Sequence, residues 1–178
     1  MNFTGAGCLF FNDQFFLAGY QPRKQKPCIS GLGGKREGEE DLFTAALRET
    51  IEELFELQTV PVEWIQSIQQ RIQHRGVVKN GDYFSVLYSF DDLQEILCFL
   101  DSQHCVSPLY EEFPLHLLSL LFNRKQVSPP PEISHLLLLP LVLHATEHHF
   151  VSPYFLKDIR MLLQQKLFIE PGSSVLPE

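Results

Sequence analysis

Residues 42–57 read LFTAALRETIEELFEL, and no other stretch restricts the fold as much. Phe43, Leu47, Ile51 and Leu54 recur at three- and four-residue steps, the spacing of an amphipathic helix with one face in a core. The other face carries Glu49, Glu52, Glu53 and Glu56. Glu49 lies one turn from both Glu52 and Glu53, so three carboxylates share a patch on which like charges repel. The patch also sits in the C-terminal half of the helix, where the macrodipole disfavours negative charge. An acidic solvated face is the bland reading. A divalent cation is the sharper one: it removes both costs, and magnesium favours a few carboxylates together with waters and phosphate oxygens.

What surrounds the helix fits the sharper reading. The loop before it holds Arg23, Lys24 and Lys26, and Ile29-Ser30-Gly31-Leu32-Gly33-Gly34-Lys35 puts three glycines in four positions, where backbone can approach a ligand closely. The net charge of -8 argues against a general electrostatic grip on nucleic acid, so a polyanion would be held locally or through a metal.

The 178 residues, with 44% hydrophobic and 20% charged content, fit a single folded domain. Phe3–Phe11 and Gln14–Tyr20 read as a hairpin about Asn12-Asp13. Val62–His74 and Asp82–Phe90 read as two further strands, joined by a turn at Lys79-Asn80-Gly81. Asp91–His104 and Glu111–Lys125 read as two helices forming an insertion over residues 91–128. Ile133–Leu143 reads as a strand, Tyr154–Leu167 as a closing helix, and 171–178 as a loose tail. The helix from Asp41 is expected to run to about Leu57. The order is that of an α+β protein.

Gly34, five residues, Glu40, seven residues, then Arg48-Glu49-Thr50-Ile51-Glu52-Glu53 resembles the Nudix box of hydrolases that act on nucleoside diphosphates linked to another moiety. The resemblance covers about residues 3–90 and 130–167. It implies a Nudix fold, a mixed β-sheet sandwiched between helices. It also implies a Mg2+-dependent hydrolase, with Mn2+ as a substitute, that cleaves the phosphoanhydride of a nucleoside di- or triphosphate or a related derivative. Carried over position by position, it makes Glu52 and Glu53 metal ligands and Glu49 a third ligand or the base. Arg48 would hold Glu49, Glu40 would complete the acidic cluster, and the Gly33 or Gly34 carbonyl would add an oxygen. The family's acidic residue from outside the box falls on Glu132, with Glu111 and Glu112 as rivals. Arg23, Lys24, Lys26 and Lys35 would hold phosphate. The chain departs from the box at Phe55, where the family has glycine, and at Glu56, where it has an aliphatic residue.

Capped RNA is a second substrate class, with Arg71, His74, Arg75 and Lys79 as a local track, and diphosphoinositol polyphosphates are a third. A reading of another class is a Nudix-fold binding module without turnover. In it, Leu93, Ile96, Leu97 and Leu100 with Leu117, Leu118, Leu120 and Leu121 would pack on each other or make a homodimer contact. Four cysteines without a CxxC pair, and no signal-peptide pattern, point to an intracellular, cytoplasmic or nuclear protein, and no run is long enough for a membrane span. His144-Ala145-Thr146-Glu147-His148 fits the HxxEH pattern of zinc peptidases, but Pro140 and the preceding strand argue for a surface loop. His104-Cys105 reads as incidental. Trp64, Tyr83 and Phe84 read as core packing rather than a base-stacking platform.

Overall fold

The computed structural model describes residues 2–142 and 150–169. The His144–His148 motif and the 171–178 tail lie outside the described residues.

The opening hairpin forms as expected. β1 (Gly5–Phe11) and β2 (Phe15–Gln21) are joined by a turn in which the Asn12 side chain accepts from the Gln14 and Phe15 amides. The two strands pair only at Phe11 and Phe16 and then part. The space between them takes β3 (Cys28–Ser30) on β2 and β4 (Gly34–Lys35) on β1, with the glycine loop in between. β5 (Gly76–Asn80) and β6 (Tyr83–Ser89) make a second hairpin about Gly81, whose φ of 65° needs no Cβ to accommodate. β6 runs parallel to β1 over seven residue pairs, and β7 (His135–Pro140) pairs antiparallel with β2. The result is a mixed sheet of order β3-β2-β1-β6-β5, with β4 and β7 attached to β1 and β2.

Alternation along the strands divides the core into two layers. Cys8, Phe10, Leu17, Val86 and Tyr88 face α1 (Leu42–Phe55), α2 (Val62–Gln69), α3 (Phe90–Ser102) and α4 (Leu117–Phe122). Leu9, Phe16, Ala18, Val78 and Leu87 face the closing helix α5 (Pro153–Ile169) through Phe155, Ile159 and Leu162. The sheet is therefore sandwiched between helices. No helix among the described residues is long and apolar enough to cross a membrane.

Three local expectations are corrected. Residues 62–69 are a helix, not a strand: Ile65 and Ile68 are fully buried at a three-residue step, and Pro61 stands at its N-cap. The second inserted helix is only Leu117–Phe122, because Pro114 disfavours helical backbone at Phe113. The box helix stops at Phe55 rather than near Leu57. Glu56, not residue 55, takes the left-handed conformation (φ 51°, ψ 45°), and the Glu56 and Leu57 amides both turn back to the Glu52 carbonyl.

Of the two readings given for the inserted leucines, packing within the chain or a homodimer contact, the burial agrees with the first. Leu93, Ile96, Leu97, Leu100 and Leu120 are buried in the chain's own core, while Leu118 remains exposed.

Candidate active site

Asp41 caps α1 by accepting from the Phe43 and Thr44 amides, and Leu47, Ile51 and Leu54 are buried completely against the sheet. Each such side chain contributes about 1.5–3 kcal/mol, so the rotation of the helix is fixed. Thr50 adds direction: its hydroxyl accepts from the Cys8 amide of β1 at 3.0 Å. The acidic face is thereby turned toward the glycine loop.

Arg48 organises that face. Its Nε and Nη2 donate to the two oxygens of Glu40 at 2.7 and 3.0 Å. Its Nη1 donates to Glu49 at 3.0 Å and Glu52 at 2.9 Å, and Nη2 also reaches the Lys35 carbonyl at 2.9 Å. The expected Arg48–Glu49 link is present, and Glu40 joins the cluster as a bidentate partner of Arg48. Glu37, which the sequence reading did not single out, lies 3.9 Å from the same guanidinium. It falls in the Glu37-Gly38-Glu39-Glu40 run, where spacing alone does not mark one acid from the next.

Glu53 points the other way. It is 9% exposed, and its carboxylate accepts from the Gly33 amide at 2.6 Å. Gly33 has a φ of 138°, and a Cβ there would strike Gly7 and Ala6. Gly34 is packed directly on the Glu49 carboxylate, where a Cβ would sit against its oxygens. The Gly34 carbonyl lies against Gly5 of β1.

The charges respond to these surroundings. Burial opposes ionisation of Glu40, but the Arg48 fork and the Glu37 amide outweigh it and hold the carboxyl below its ordinary value. Burial lifts Glu49 and Glu52 above theirs, against the pull of Arg48. Burial pushes Glu53 up to about 8; the Gly33 amide opposes this, while Glu132 and Glu49 add to it.

Glu132 is thus within electrostatic reach of Glu49 and Glu53, and it pairs with Lys24 at 3.8 Å. Glu111 and Glu112 are exposed. Arg23 and Lys24 line a small pocket with Glu132 and Gln21. The Lys35 side chain is exposed, and only its carbonyl meets the cluster.

Among the described residues, no three acidic, histidine or cysteine side chains converge closely enough to enclose an ion. Arg48 draws Glu49 and Glu52 to itself, and Gly33 draws Glu53. The donor set nonetheless suits a hard divalent cation: all oxygen, clustered, and including a buried carboxylate that stands well above its ordinary pKa.

Beside this face opens a cavity of about 690 Å3, a size suited to a small molecule. Lys24 and Lys26 are among its lining residues, as are Leu9, Leu32 and Phe155. Tyr83 lines it too, contrary to a pure packing role, whereas Phe84 is buried edge-on to Phe3 and Trp64 packs on the core. Asp158 of α5 accepts from Asn80 at 2.8 Å and Ser85 at 2.9 Å, and all three line the cavity. The signal for Asp158 was present in the sequence, an acid on the same helical face as Phe155, Ile159 and Leu162.

The basic residues expected as an RNA track are engaged within the chain. Arg71 lies over Phe99, His74 stacks on Phe43, Arg75 approaches Asp92 at 4.0 Å, and Lys79 lies over Phe84.

No family model matches the sequence, and no curated protein matches it. Solved structures do. The chain is similar to a bifunctional NMN adenylyltransferase/ADP ribose pyrophosphatase from Francisella tularensis, complexed with AMP and Mn ion, with 13% identity and a TM-score of 0.50. That match covers 93% of this chain and 42% of the other, so this chain spans less than half the bifunctional enzyme's length. It is also similar to a NUDIX hydrolase from Nitrosomonas europaea, at 14% identity, a TM-score of 0.48, and 99% and 100% coverage of the two chains. A third is a NUDIX-family hydrolase from Clostridium perfringens, at 12% identity, a TM-score of 0.40, and 93% and 99% coverage. Likeness at this identity speaks to architecture alone: the chain, a mixed sheet sandwiched between helices, shares the fold of the matched part of the bifunctional enzyme.

Proposed function

We propose that this chain is a divalent-metal-dependent Nudix hydrolase that cleaves the phosphoanhydride of a nucleoside di- or triphosphate or a related nucleotide derivative. The observation that carries the reading is the set of box side chains on α1, with Glu40, Glu49 and Glu52 gathered by Arg48 and Glu53 held by the Gly33 amide, beside a cavity that Lys24 and Lys26 help to line. Glu52 and Glu53 would hold the metal, with Glu49 as third ligand or base and Glu132 facing them across the site. A bound Mg2+ or Mn2+ would neutralise phosphate charge and acidify a coordinated water. Arg48 fixes the direction of Glu49 while leaning on Glu40. Arg23, Lys24 and Lys26 hold the outer phosphate oxygens, and Gly34 lets the backbone pack on Glu49.

The cavity favours a nucleotide over the other classes. Its largely apolar lining suits a flat ring, and the Asp158, Asn80 and Ser85 floor offers acceptors and donors to a base edge. Capped RNA is the second reading, since Arg71, His74, Arg75 and Lys79 all remain exposed beside their ring and ion-pair contacts. A binding module without turnover has no feature in its favour, since the box carboxylates are all present.

A hydrolysis screen with Mg2+ and Mn2+ over nucleoside triphosphates, dinucleoside polyphosphates, cap analogues, nucleotide sugars and diphosphoinositols tests the proposal. Turnover of a nucleotide class is expected, abolished in Glu52→Gln and Glu53→Gln. Full metal-dependent turnover in both variants would reject the site.

A further inference from the structure

The last turn of the box helix ends without the family's glycine, yet its carbonyls are met. The Glu52 carbonyl accepts from Glu56 and Leu57. The Glu53 and Leu54 carbonyls accept from Arg124 at 3.1 and 2.5 Å, and the Phe55 carbonyl accepts from the Ser107 hydroxyl at 2.7 Å. Ser107 and Arg124 both lie in the segment between α3 and β7, outside the resemblance to the family. Phe55, the residue standing in for glycine, is fully buried and stacks on Phe113 of that segment at 4.9 Å.

Arg124 does more than cap. It is 8% exposed, and the acceptors around it are carbonyls and the Tyr110 hydroxyl rather than a carboxylate. Its Nε has no hydrogen-bond partner among the described residues. A guanidinium buried on these terms is costly, although the negative end of a helix offsets part of that cost. The same Nη2 that holds the Glu53 carbonyl also donates to the Ile133 carbonyl at 2.6 Å, next to Glu132. The guanidinium thus ties the Glu53 carbonyl of α1 to the carbonyl of Ile133, the residue after Glu132 in the loop before β7.

We infer that Arg124 is a positioning residue, which sets the separation of the Glu53 and Glu132 carboxylates through their main chains, and that the segment carrying it replaces the missing helix-ending glycine. The inference rests on the metal-dependent reading of the site. Residues that orient metal ligands from behind typically change metal affinity by about 10–100-fold when altered. Arg124→Lys keeps the charge, but its single nitrogen stands one bond short of the Nη2 position that meets the Glu53 and Ile133 carbonyls, and it has no second nitrogen for the Leu54 carbonyl and the Tyr110 hydroxyl.

The test uses the full chain and Mn2+ alone, titrated against thermal stability without substrate. In Arg124→Lys the Mn2+ midpoint is expected to rise about tenfold or more. Millimolar guanidinium chloride is expected to restore much of the wild-type midpoint to Arg124→Ala, where urea does not. Ser107→Ala, which removes a cap but no bridge, is expected to lower stability without moving the midpoint. Tyr110→Phe removes the hydroxyl that steadies Nη1 and that donates to the Leu120 carbonyl; it is expected to shift the midpoint mildly in the same direction, which keeps the test open should Arg124→Lys fail to fold. An unchanged midpoint in Arg124→Lys, or in Tyr110→Phe where the lysine variant fails, would overturn the inference alone, as would an equal shift in Ser107→Ala. A wild-type chain that shows no response to Mn2+ would overturn the metal-dependent reading and this inference together.

Discussion

Replacing Arg48 by methionine keeps much of the side chain's length and removes its charge, leaving the acidic face without its organiser. The loss comprises two hydrogen bonds to Glu40, one each to Glu49 and Glu52, and one to the Lys35 carbonyl. The Arg48 side chain is 9% exposed, and Glu40, Glu49 and Glu52 are 18%, 17% and 20% exposed. Removing one partner from a buried ion cluster costs about 3–5 kcal/mol, because the charges left behind stay poorly solvated and repel. Partial exposure of the carboxylates brings the figure to about 3 kcal/mol. Urea unfolding in chelator measures it directly. In saturating Mg2+ the loss is expected to shrink, since a divalent cation takes over the neutralisation that Arg48 supplies. A loss below about 1 kcal/mol in chelator, or a loss of the same size with and without Mg2+, would refute the picture of a cluster held between arginine and metal.

Glu53 sets a pH dependence. Burial raises its pKa in the metal-free chain from 4.5 to about 8, so folding favours the protonated acid. That contribution is complete below about 4.5 and is lost as pH climbs through about 8, and Glu53→Gln should flatten this part of a urea-midpoint profile recorded in chelator. An unchanged slope in the variant would place the titration elsewhere. Gly34→Ala forces a methyl group onto Glu49, and a shift of that kind can cost about 100-fold in turnover, so kcat/KM should fall far more than melting temperature. Asp158→Asn should change the ranking of bases in the hydrolysis screen while leaving the Mn2+ midpoint unmoved; an unaltered ranking would remove Asp158 from substrate recognition.

The helical pattern of Phe43, Leu47, Ile51 and Leu54 was legible because its period is local and its burial is one-sided. The carboxylate set was legible for the same reason, since helical spacing alone puts Glu49, Glu52 and Glu53 on one face. Residues 62–69 were misread because Ile65 and Ile68 serve a helix as well as a strand over so short a span, and packing against the first layer of the core decided between them. The end of α1 was misplaced because the residue that takes the left-handed turn, Glu56, has no intrinsic preference for it.

The sequence by itself determined the layered α+β order, the acidic face and its alliance with a glycine loop, all properties of neighbours within a few residues of one another. Only the tertiary structure decided which partners that face meets. Glu53 turns to Gly33, Glu132 arrives beside Lys24, Asp158 closes the floor with Asn80 and Ser85, and Arg124 reaches the end of the helix from 70 residues away. These contacts join distant segments, and no local periodicity encodes them: they exist because the core fixes where each element's polar face emerges.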